Sequence, residues 1–107
     1  MKSRKQDFLD FLNGFQEWID YDKNANEYEA GIRCALGCVN DVTKDYRELF
    51  VDHTKNIDDV SVYIEDALNN IISVLSESLR YETESVEFNK GYKGKMQAII
   101  EELEDYK

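Results

Sequence analysis

The chain has 107 residues, enough for one hydrophobic core and too few for two, since folding at this size hides roughly two thirds of the surface the unfolded chain exposes. Asp and Glu number 23 against 13 Lys and Arg, a formal net charge of -10, which disfavours direct grip on DNA, RNA or an anionic membrane and favours a basic partner. With 42% hydrophobic residues there is apolar surface to offset chain entropy, so disorder is excluded; no apolar stretch exceeds three residues, so neither a membrane span nor a secretory leader is expected.

Proline is absent and apolar residues recur every three or four positions, which predicts an all-α chain forming a single helical domain over residues 1–107. The first helix is expected over Arg4 to Ile19, with Phe8, Phe11, Leu12, Phe15, Trp18 and Ile19 on one stripe and Ser3 and Gln6 in capping-box spacing. Asp20 to Asn26 breaks the pattern and offers Asn24 or Asn26 as the cap of a second helix of about 25 residues, from Tyr28 to Phe50. Asn40 to Thr43 is weak helix and is expected to kink it. Ala30, Gly31, Cys34, Ala35, Gly37 and Cys38 form a band of small residues that another helix can approach closely, and both cysteines are expected to be buried.

A linker near residues 52–58, with Asn56 as the expected cap, precedes a third helix from Val60 to Leu79. After Arg80 to Ser85, a fourth carries Phe88, Tyr92, Met96, Ile99, Ile100, Leu103 and Tyr106. A shift of 60 residues superimposes Phe8 on Leu68, Phe15 on Leu75, Tyr28 on Phe88, Gly31 on Gly91 and Ile32 on Tyr92; of 19 apolar positions in residues 8–46, 12 land on apolar ones. Duplication of a helical hairpin is one reading, and the equal phasing of any two amphipathic hairpins is the other. Either way the expected architecture is an antiparallel four-helix bundle.

In such a bundle the first and third turns share an end. Glu17, Asp20, Asp22, Glu27 and Glu29 against Lys23 then meet Glu77, Glu82, Glu84 and Glu87 against Arg80, a net of -4 beside a net of -3. Tyr21, Tyr28, Tyr81 and Phe88 accompany them, whereas the opposite end, with Lys2, Arg4, Lys5, His53 and Lys55, is expected to be closer to neutral. Helix dipoles explain acids at the first turns of the second and fourth helices but not Glu17 and Asp20, placed at the last turn of the first. Carboxylates beside aromatic rings suit a basic protein surface, so the expected partner-binding residues are Glu17, Asp20, Tyr21, Asp22, Glu27, Tyr28, Glu29, Tyr81, Glu82, Glu84 and Glu87. The expected partner is a nucleic-acid-binding protein whose phosphate groove an acidic bundle end can occupy.

The length, the acidity, the lack of proline and these acid-aromatic turns resemble the small acidic proteins of bacteriophages and mobile elements, anti-CRISPR proteins among them. That resemblance implies inhibition of an effector by nucleic-acid mimicry; with no span or leader expected and no catalytic constellation, a cytoplasmic protein without enzymatic activity or cofactor is expected. A second reading is an assembly module in which the small-residue band or exposed Phe and Tyr side chains build a helical homodimer. A third rests on the Glu84, Glu87, Glu101 and Glu104 pairs, which look like the carboxylate motif of MazG-type nucleotide pyrophosphohydrolases but are expected on one helix, where they cannot converge. Asp20, Asp22, Asn24 and Asn26 resemble half an EF-hand loop, but Ala25 and Gly31 stand where that loop needs glycine and glutamate. Gly91 to Lys95 resembles a KH-type Gly-x-x-Gly loop without its strands, and His53 has no triad partner.

Overall fold

A computed structural model describes residues 3–16 and 25–106, and these form four helices: α1 Arg4–Asn13, α2 Glu27–His53, α3 Ser61–Ser78 and α4 Val86–Tyr106. The described residues contain no strand. Ser3 caps α1 by accepting from the Gln6 amide, and Asn26 caps α2 by accepting from the Glu29 amide at 2.8 Å. Asn24, the other expected cap, lies outside the described residues.

Two local expectations are corrected. The first helix stops at Asn13 rather than continuing to Ile19: Asn13 and Gly14 are both poor helix formers, and the Gly14 and Phe15 amides turn back onto Phe11 and Leu12 carbonyls at 3.2 and 3.1 Å. Trp18 and Ile19 lie outside the described residues. α2 is continuous through Asn40 to Thr43, where the fully buried Thr43 hydroxyl donates to the Val39 carbonyl at 2.7 Å within the helix. Asn56 caps nothing; the Asp59 carboxylate instead accepts from the Ser61 amide at 3.1 Å, one turn later than expected.

The core is one cluster to which every helix contributes: Phe8 and Leu12 from α1, Ala35, Val39 and Phe50 from α2, Ile71 and Leu75 from α3, Met96 and Leu103 from α4. Each fully buried Leu, Ile, Phe or Met side chain contributes about 1.5–3 kcal/mol relative to exposure. Contacts between elements fix which ends meet. On α1, Phe8 meets Phe50 of α2 edge to face at 4.9 Å, while Gln16, just beyond the helix, donates to Asn40 and Thr43. On α3, Tyr63 and Asn70 share a cleft with His53 and Tyr46 of α2, and Ser78 accepts from Cys38.

The most extensive interface joins α2 to α4. Gly31 and Gly91 make it possible: a Cβ on Gly31 would lie 2.0 Å from the Phe88 carbonyl oxygen, and one on Gly91 would lie 2.1 Å from that of Tyr28. Farther along, Leu36 and Val39 of α2 share a cleft with Lys95 and Ile99 of α4. The first turns of the two helices therefore lie side by side, and the expectation that the small-residue band admits a close neighbour identifies that neighbour as α4. Not all of the band is spent there. Cys34 is exposed and Cys38 half-buried, against the expectation that both are buried, because α4 covers only the Gly31 and Ala35 side of α2.

Candidate functional site

The close crossing at Gly31 and Gly91 assembles a helix-end surface from two directions. Glu27, Tyr28 and Glu29 come from the first turn of α2; Glu87 comes from the first turn of α4, with Tyr81, Glu82 and Glu84 on the turn before it. Tyr28 is 46% exposed and Tyr81 52%, so both rings are open to a partner. Glu17, Asp20, Tyr21 and Asp22 lie outside the described residues.

The turn between α3 and α4 is held by a reciprocal pair. The Thr83 amide donates to the Asn89 side-chain oxygen at 2.8 Å, and the Asn89 amide group donates back to the Thr83 carbonyl at 2.9 Å. Ser85 completes the arrangement by accepting from the Phe88 amide at 3.2 Å, an N-cap contact for α4. Behind the turn the aromatic rings pack in series: Tyr81 lies 5.5 Å from Tyr92 and 6.5 Å from Phe88, and Phe88 stacks at 6.3 Å on Tyr92. The Tyr92 hydroxyl donates to the Ser78 carbonyl at 2.9 Å; burial, and then the neighbouring Cys38 and Cys34 thiols, push its pKa up.

The charge of this surface differs from the sequence expectation. Glu82 pairs with Lys93, whose hydrogen bond and positive charge hold the carboxyl below the usual range. Glu77 pairs with Arg80 at 3.4 Å and Glu87 with Lys90 at 3.5 Å. Three of the four carboxylates counted around this turn thus have a cationic neighbour, two of them supplied from just past residue 88 by the helical turn of α4. Glu84, with Glu27 and Glu29 of α2, carries the uncompensated charge among the described residues.

Among the described residues the opposite end is not close to neutral. α4 brings Glu101, Glu102, Glu104 and Asp105 there, with no basic residue in its last turn, as Tyr106 stacks on Phe11 at 4.1 Å and approaches Phe8 at 5.7 Å. Of the cations expected at that end, Arg4 donates to Ser61, Lys5 to the Thr54 carbonyl, and Lys55 pairs with Asp52 at 3.4 Å; Lys2 lies outside the described residues.

Other constellations resolve into ordinary structure. Glu87 and Glu101 are separated by about 21 Å of helix, at 1.5 Å per residue, so the two Glu-x-x-Glu pairs do not converge. Gly91 to Lys95 is helical within α4 and forms no loop. Asn26 of the half EF-hand pattern is the α2 cap, and Gly31 is buried in that helix; the pattern's Asp20, Asp22 and Asn24 lie outside the described residues. Among the described residues no helix is long and apolar enough to cross a membrane.

No protein-family model matches the chain, and no curated protein or solved structure matches it.

Proposed function

We propose that the chain is a non-enzymatic, cytoplasmic binding protein whose acidic, aromatic helix-end surface engages a basic, nucleic-acid-binding protein and inhibits it by occupying its phosphate-binding groove. The observation that carries this reading is the Gly31 and Gly91 crossing, which brings Glu27, Tyr28 and Glu29 beside Tyr81 and Glu84 although more than 50 residues separate them in sequence. Carboxylates there steer a basic partner at low salt, and two exposed tyrosines supply contact area at low rotamer cost. Glu82 and Glu87 are secondary contributors, since each must first leave Lys93 or Lys90.

The same crossing supports the finer architecture, an antiparallel bundle built from a duplicated helical hairpin. Gly31 packs on Phe88 and Tyr92, and Gly91 packs on Tyr28 and Ile32; each contact becomes the other under the 60-residue shift. A helix pair related by approximate two-fold symmetry has this self-complementary form. The functional reading is tested with the triple variant Glu27→Lys, Glu29→Lys and Glu84→Lys: it should retain the helical circular dichroism spectrum and lose the basic partner, and undiminished binding would refute the reading.

A further inference from the structure

A second surface, away from the helix ends, lies along the outer seam between α2 and α3. A cleft of about 280 Å³ opens there between Tyr46, Leu49 and His53 of α2 and Tyr63, Asp66 and Asn70 of α3. Each set of three falls at i, i+3 and i+7, so the cleft follows two helical turns, about 10 Å. Leu49 is 48% exposed at its centre, an apolar side chain that no described helix covers.

The charged residues at this seam are chiefly acidic, with His53 in its lining and Lys55 beside Asp52. Asp66 lines it directly, and Asp45 stands four residues before Leu49 on the same face of α2. Asp52, three residues after Leu49, is the rim acid with a cationic neighbour, Lys55 at 3.4 Å. No lysine or arginine lines the cleft. A second copy of the chain would bring its own excess of ten negative charges against these aspartates, so like-charge repulsion argues against self-association here.

We infer that this seam is a docking groove for a basic amphipathic helix of another protein, which lays apolar side chains at i, i+3 or i+4 and i+7 between Tyr46, Leu49 and Tyr63 and meets Asp45 and Asp66 with Lys or Arg. This goes beyond the proposed helix-end function and does not depend on it, since it uses different residues on a different face.

The test uses the full chain and a fluorescein-labelled peptide of leucine and lysine, about 18 residues long and patterned as an amphipathic helix, beside a scrambled peptide of equal charge. Anisotropy titration should show the patterned peptide binding at least about tenfold more tightly than the scrambled one. Amide shift changes should be confined to residues 46–53 and 63–70. Leu49→Lys and, separately, Asp66→Lys should each weaken the patterned peptide by about tenfold, with circular dichroism unchanged because both side chains are exposed. The helix-end variant Glu27→Lys with Glu84→Lys should change binding by less than about threefold at physiological salt. Equal binding of the scrambled peptide, shift changes centred elsewhere, or insensitivity to Leu49→Lys would each overturn the inference. So would a dimer in sedimentation velocity that Leu49→Lys dissolves, since the occupant would then be a second copy.

Discussion

Gly31 and Gly91 press against each other's helices so closely that neither tolerates a single added carbon. The atoms in the way, the carbonyl oxygens of Phe88 and Tyr28, belong to backbone and cannot swing aside. Gly31→Ala and Gly91→Ala are each expected to destabilise the fold by about 2–3 kcal/mol in urea denaturation, the upper part of the usual overpacking range. Gly37 and Gly94 sit on the same two helices with nothing within 4 Å of an added Cβ, so Gly37→Ala and Gly94→Ala should stabilise by about 0.5–1 kcal/mol through helix propensity. Equal effects of the two pairs of substitutions would contradict the account of the crossing.

The Thr83 and Asn89 pair determines whether Tyr81 and Glu84 are presented in a fixed geometry. Asn89→Ala removes three hydrogen bonds at once, from the Thr83 amide and hydroxyl and to the Thr83 carbonyl, and is expected to cost about 1–2 kcal/mol of stability. It should also speed amide exchange of residues 81–85 while leaving the first turn of α2 protected. Uniform acceleration across both segments would show that the pair does not act locally.

Thr43 offers a buried test of α1 docking. Its hydroxyl donates to Val39 and accepts from the Gln16 amide group at 2.7 Å, with no exposure of its own. Thr43→Val keeps the shape and leaves Gln16 only the Asn40 carbonyl as its acceptor, so a loss of about 1 kcal/mol is expected. A change near zero would mean that the Gln16 to Thr43 bond contributes nothing to seating the end of α1.

Alkaline pH should weaken the fold. Burial raises the pKa of Tyr92 and Tyr106, and beside Tyr106 the Asp7 carboxylate adds to that shift and accepts from its hydroxyl at 3.3 Å. A raised folded-state pKa means that the unfolded chain ionises first, so stability is complete below the ordinary tyrosine value of about 10 and is lost as pH rises through the higher folded values. Urea midpoints measured from pH 8 to 11 should fall at the alkaline end, and less steeply in Tyr92→Phe. An unchanged slope in that variant would remove Tyr92 as a cause.

Much of the architecture could be read from residue spacing, because amphipathic periodicity survives tertiary packing. The stripes through Phe8 and Leu12, through Ala35 and Val39, and through Met96 and Leu103 all ended in the core. The end of α1 was misread because the apolar stripe continues past Asn13 to Ile19, while the local backbone preference of Asn13 and Gly14 ends the helix first. Charge was the less legible property. Windows drawn along the chain stop at residue 88, whereas Lys90 and Lys93 return to Glu87 and Glu82 one helical turn and one loop away. The acidic tail from Glu101 to Asp105 likewise reads as a helix face in sequence and becomes the charge of the opposite end only when Tyr106 anchors it on Phe11. The cleft beside Leu49 had no sequence signal, since an exposed leucine at a stripe edge resembles a core position until the neighbouring helix is placed.

The central claim, that the surface where α2 and α4 begin is where this protein holds its partner, is tested most directly by affinity capture from host lysate with the wild-type chain and the Glu27→Lys, Glu29→Lys, Glu84→Lys variant in parallel. The wild type should retain a basic nucleic-acid-binding protein that added duplex DNA displaces, and the variant should retain at most about a tenth as much. Capture of that protein in equal amounts by both chains, or retention unaffected by DNA, would contradict the account.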